Sequence, residues 1–186
     1  INIWRIPILF VISGMGVYFA FQNRTVKKII KDRAIRILVP FIFGFFVICP
    51  LQFICCLEFY NYPYPLWYYP GSDHLWFLLN IYVYFQVLIF VFLYFKKNPN
   101  DLFLNAFKNL LKYRFGIYIF IIPFVLEASI VNPEHYSLYA ETLHGWVLGF
   151  ICFLIGYLLV SFREHFWLSI DRIRFFALII AILLYL

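Results

Sequence analysis

Few side chains in this chain are able to do chemistry, and they stand far apart. Arg5 sits four residues into a long apolar run, where a cation is costly unless it snorkels to water or faces a polar cavity. At such a place it binds a carboxylate, a phosphate or a polar headgroup; the plainer alternative is contact with outer-leaflet phosphates. Asp73 and His74 precede Trp76 at the start of another apolar run. A helix N-terminus lowers the proton affinity of histidine, so His74 suits the role of neutral base or donor; otherwise it is a boundary residue beside water. Arg33 and Arg36, three apart, project to one side of a helix as a two-pronged phosphate clamp, unless they only mark a cytoplasmic linker. Glu127 has two possible partners, Arg5 and His144, or else faces outer water.

Several chemistries are excluded by pattern. Ser13-Gly14 is not a nucleophile elbow, because no G-x-S-x-G surrounds it. No H-E-x-x-H, H-x-x-x-D or Walker A sequence occurs, and no metal site is expected. Cys49, Cys55, Cys56 and Cys152 form no C-x-x-C pair and lie in apolar stretches, where they read as small buried hydrophobes.

The elements that must position these residues are membrane helices. Hydrophobic residues make up 65% of the 186 positions and charged residues 13%, half the share of a soluble domain. The mean hydropathy is +0.88. Six apolar segments stand out, at about 3–21, 37–57, 75–95, 115–131, 143–160 and 173–186, which predicts an all-α polytopic bundle of about six transmembrane helices. Every Lys and Arg except Arg5 falls in the linkers 22–36, 96–114 and 161–174, while 58–74 and 132–142 hold none. That alternation places the three basic linkers in the cytoplasm and Arg5 at the outer end of the first helix. It accounts for the net charge of +6 without a nucleic-acid surface.

Finer expectations follow. Arg5, Leu9, Ser13, Gly16 and Ala20 share one arc of the first helix, a mostly small or polar face suited to close packing. Gly149 and Gly156, seven apart, predict a second close-packing face. The linker 22–36 reads as a separate amphipathic helix, and Ser72 or Asp73 as the cap of the third span. The Pro-, Tyr- and Trp-rich stretch before His74 reads as an aromatic lid over the outer face.

Four runs carry a resemblance. Trp4 to Ala20 (WRIPILFVISGMGVYFA) resembles the second helix of the acyltransferase family 3 membrane proteins. Arg33 to Pro50 (RAIRILVPFIFGFFVICP) is similar to that family's next helix and its basic approach. His74 to Leu79 (HLWFLL) is similar to the fourth, and Phe153 to Leu159 (FLIGYLL), followed by Phe166-Trp167 and Arg172, to a later one. The resemblance implies one partial transmembrane acyltransferase domain over 1–186, from a roughly ten-helix protein of a bacterial plasma (inner) membrane. It implies transfer of an acyl group, acetyl most simply, from cytoplasmic acyl-CoA to a hydroxyl of a glycan or glycolipid on the outer side. Arg5 and His74 then belong to the active cavity, Arg33 and Arg36 to the phosphates of the donor, and Ser13 and Gly14 to the path of its acyl arm. The resemblance puts the general base, a histidine, on a helix preceding Trp4. The competing expectation is a transporter or flippase for a polar or lipid-linked substrate, since Ser-Gly breaks, Pro123 and intramembrane charge also suit a transport path.

Overall fold

The computed structural model describes residues 5–60, 68–132, 135 and 139–185, with backbone alone for His74, Leu184 and Tyr185. Trp4, residues 61–67 of the aromatic linker and Glu134 lie outside the described residues. All regular structure among the described residues is helical. Seven α-helices run α1 (Arg5–Asn23), α2 (Val26–Phe59), α3 (Trp76–Lys97), α4 (Leu102–Lys112), α5 (Ile122–Val131), α6 (Leu143–Ser161) and α7 (Arg163–Tyr185). Four of them, α1, α2, α3 and α6, are long and apolar enough to cross a membrane. The expected fourth span is the shorter apolar stretch Gly116–Val131, a 3-10 turn leading into α5. The expected sixth is the C-terminal half of α7, whose first half carries Arg163, Glu164, Asp171, Arg172 and Arg174. The chain is thus a polytopic all-α integral membrane protein.

The basic linker before the second span is not a separate helix. Val26–Phe59 is continuous over 34 residues, about 51 Å at about 1.5 Å per residue. Its cations do not interrupt it because Lys, Arg and Ile are compatible with a helix and only proline within it is not. At both prolines the helix adapts in the same way. Widened π turns span Ala34–Leu38 and Gly44–Ile48, each ending two residues before a proline, Pro40 or Pro50. A proline ring collides with the carbonyl four residues back and offers that carbonyl no N–H. Pro50 deprives Phe46 in this way, and the Tyr68 hydroxyl donates to the Phe46 carbonyl at 2.6 Å.

The order of contacts fixes the bundle. Phe10 of α1 meets Trp76 and Tyr84 of α3, and Phe21 meets Phe92 further along, so α1 and α3 run parallel. Tyr84 meets Trp146 and Phe92 stacks on Tyr157, with ring centroids 3.9 Å apart, so α6 runs parallel to both. Helix α2 is antiparallel to α3, with Gly44 against Leu75 and Arg33 over Phe85. This is the alternation read from the charge pattern. At one end Lys96 donates to the Phe21 carbonyl and Arg172 to that of Lys112, joining the end of α1 to two of the basic linkers. At the other, Ser72 Oγ donates to Glu141 at 2.5 Å, joining the two linkers without Lys or Arg.

The tightest seam lies between α1 and α6. A Cβ on Gly14 would lie 1.9 Å from the Phe153 carbonyl oxygen, and one on Gly156 would lie 2.0 Å from that of Val11. The expected α6 glycine face therefore forms. On α1 the close approach is made by Gly14, not by the Ser13–Gly16–Ala20 face, which opens elsewhere. Capping also differs from expectation. Ser72 does not cap α3 through its side chain; Asp73–Leu75 is a 3-10 turn entered at a positive φ of 33° at Asp73, and the Ser72 hydroxyl is engaged by Glu141. Thr142 does cap α6, accepting from Gly145 N at 3.1 Å, and Asp101 caps α4 through Phe103 N at 3.1 Å.

Candidate functional site

The Gly16–Ala20 end of the stripe that does not pack against α6 forms one wall of a cleft between α1 and the first turns of α2. Gly16, Phe19, Ala20 and Asn23 line one side, and Ile29, Asp32, Arg33 and Arg36 the other, enclosing about 510 Å³. Helix α2 brings both arginines to it because Arg33 ends its first α-helical stretch and Arg36 lies within the π turn that follows. The Arg33 guanidinium lies 5.1 Å above the centre of the fully buried Phe85 ring. The absence of a side chain at Gly16 leaves it room: a Cβ there would be 3.8 Å from Arg33 Nη2. Arg33 is half-buried and Arg36 exposed. Asp32, the acid nearest in sequence, is paired with Arg24 at the edge of the same cleft. Among the described residues neither Arg33 nor Arg36 has a carboxylate partner. A half-buried guanidinium braced on an aromatic ring and left without a counter-ion is arranged to receive an anion.

Ser13 is half-buried one turn beyond Gly16 on the same stripe, past the end of the cleft, and Gly14 faces α6. Gly14, expected beside Ser13 on the acyl path, is a close-packing position whose bare Cα allows the Phe153 backbone to approach.

The other two expected residues are at the opposite end. Arg5 is exposed in the first turn of α1, about 16 Å along the helix from Gly16. His74 is in the 3-10 turn leading to α3, and its side chain lies outside the described residues. Arg33 with Arg36, and Arg5 with His74, are therefore separate groups, one towards each end of the bundle. Beside the 3-10 turn is a second cleft of about 600 Å³, where Gln52 and Cys56 of α2 face Gly71, Ser72, Asp73 and Glu141.

Glu127 resolves to one of its two candidates. Its Oε1 is 2.7 Å from His144 Nδ1, with the residues 4% and 3% exposed, and Tyr139 stacks on the imidazole with centroids 5.5 Å apart. The pair joins α5 to the first turn of α6, and Arg5 has no part in it. Arg24–Asp32, Ser72–Glu141 and Arg33 over Phe85 were not foreseen, because each links residues whose spacing in sequence has no helical meaning.

Together these features define a class: a helical membrane protein with an anion-receptive cleft at one end and a polar cleft at the other. Residues 1–186 match a family model described as an acyltransferase domain, and the chain belongs to that family, the acyltransferase family 3 of the resemblance above. Neither a curated protein nor a solved structure matches it.

Proposed function

We propose that this chain belongs to a membrane acyltransferase that moves an acyl group, acetyl most simply, from acyl-CoA to a hydroxyl of a glycan or glycolipid across the bilayer. The observation that carries the reading is the uncompensated Arg33–Arg36 pair in a cleft of about 510 Å³. That volume is within the about 300–1,000 Å³ typical of small-molecule sites, and the guanidinium chemistry fits the phosphates of a coenzyme. The donor supplies a thioester carbonyl. Arg33 and Arg36 hold its phosphates at the basic, cytoplasmic end, and Ser13 faces the path of the acyl arm along α1. The acceptor lies at the outer end, near the cleft that runs from Gln52 to Glu141.

Arg5 orients the reactants or stabilises the charge that develops on the carbonyl oxygen when the acceptor hydroxyl attacks. The hydroxyl proton passes to a base that the resemblance puts on a helix preceding Trp4; the new C–O bond forms as the C–S bond breaks. In this reading His74 acts with Arg5 at the outer end. The bilayer itself is the remaining partner, in the plasma membrane of a bacterium.

Two measurements on the full-length protein test this. Binding of acyl-CoA is expected in the wild type and to fall at least tenfold in Arg33→Gln and Arg36→Gln. Acyl transfer is expected to drop in Arg5→Lys with protein level and donor binding unchanged. A wild type that binds no acyl-CoA overturns the enzyme reading in favour of a transporter. Near-normal turnover in Arg5→Lys overturns the role of that arginine.

A further inference from the structure

The cleft that holds Arg33 and Arg36 contains a third arginine, already engaged. Arg24 lies one residue past the end of α1 and Asp32 just before the π turn of α2, and both line the cleft. Arg24 Nη1 donates to Asp32 Oδ2, closing one edge of the opening. Asp32 is the one carboxylate among the residues lining it. The two side chains are 39% and 27% exposed, so the pair is water-screened and worth about 0–1 kcal/mol. A terminal phosphoryl group offers Arg24 three oxygens and more charge than Asp32 does, and guanidinium meets it with two parallel hydrogen bonds. Exchange of partner is therefore inexpensive, and Asp32 has water to turn to.

Resting on the reading of this cleft as a phosphate site, we propose that Arg24 is a third phosphate-binding residue, held by Asp32 until a ligand with more than one phosphoryl group draws it away. The pair acts as a latch with a preference built in. A monophosphate is satisfied by Arg33 and Arg36 and gains little from opening the latch. A ligand carrying two or three phosphoryl groups reaches Arg24 as well and offsets the nearby Asp32 charge. The cleft thereby selects polyphosphorylated coenzymes over inorganic phosphate and monophosphorylated lipids.

The test is equilibrium binding of coenzyme A and of inorganic phosphate to the full-length protein in detergent, at about 0.15 M salt, where distant charges are screened. Arg24→Gln is expected to weaken coenzyme A about tenfold and to leave inorganic phosphate within about twofold. Asp32→Asn is expected to tighten coenzyme A about five- to tenfold while Arg24 is present, and less than about twofold in the Arg24→Gln background. That dependence separates a latch from simple removal of a negative charge, which would give equal gains in both backgrounds. Equal gains, or an Arg24→Gln protein that binds coenzyme A normally, overturn the latch. A wild type that binds no coenzyme A, or an Arg33→Gln protein that binds it unchanged, overturns the cleft assignment beneath it.

Discussion

Removing either member of the Glu127–His144 pair is expected to destabilise the bundle more than almost any other polar substitution. The two groups are 2.7 Å apart, 4% and 3% exposed, and join α5 to α6 at the end opposite the basic linkers. Glu127→Ala leaves a buried imidazole without its carboxylate, at a cost of about 3–5 kcal/mol for breaking a buried pair. For a chain of this length each kcal/mol lowers the melting temperature by about 2–4 °C, so a fall of about 6–20 °C is expected. Glu127→Gln keeps the shape and one hydrogen bond but gives up the charge assistance, and should cost about 1–2 kcal/mol. The Glu127→Leu/His144→Leu protein removes both polar groups together. It should lie within about 1–2 kcal/mol of wild type and above either single leucine variant, because desolvation is no longer charged against either residue. Tryptophan fluorescence of the detergent-solubilised full-length protein during heating gives the value for each variant. A Glu127→Ala protein melting within 2 °C of wild type would refute the reasoning, as would a double variant less stable than both singles.

Three further outcomes follow from the packing. Gly14→Ala drives a methyl into the Phe153 carbonyl and should abolish folding or cost more than about 3 kcal/mol, whereas Gly16→Ala, with 3.8 Å to Arg33, should leave the melting temperature nearly unchanged. Tyr68→Phe removes the donor to the Phe46 carbonyl and should cost about 1 kcal/mol by thermal melting. In a Pro50→Ala background, where the helix regains an N–H four residues after Phe46, that cost should shrink towards zero; an equal loss in both backgrounds counts against the explanation. Phe85→Leu keeps an apolar floor but removes the ring beneath Arg33, and should weaken acyl-CoA binding about two- to fivefold with folding retained.

The four long spans and their relative directions were legible in the sequence because two independent signals, apolar length and alternating Lys/Arg, point the same way. The continuity of α2 was not, since a cluster of Lys28, Lys31, Asp32, Arg33 and Arg36 looks like a linker although nothing in it ends a helix. Small residues on α1 announced close packing but not its direction. Gly14 and Gly16 are both bare, and only the placement of α6 decides that Gly14 meets a carbonyl while Gly16 faces a guanidinium. For Glu127 the sequence left Arg5 and His144 open, and the antiparallel approach of α5 to α6 selects His144. Arg33 and Arg36 were legible as a pair because their spacing is local. The ring under Arg33 comes from another helix, and the pairing of Arg24 with Asp32 spans the turn between α1 and α2, so no spacing rule reaches either.

The uninterrupted α2 makes bilayer thickness a variable of the site. Its apolar stretch, 37–57, is long enough for a hydrocarbon core of about 30 Å, and the basic residues 26–36 continue the same unbroken helix for about 16 Å more. Arg33 and Arg36 therefore sit at a depth set by how far the apolar part is immersed. A thicker bilayer draws them towards the acyl chains, and a thinner one lifts them into the headgroup layer, unless the helix tilts to compensate. Lipid chain length, which touches neither arginine, is in this way a mechanical input to how readily the cleft meets a charged ligand from water.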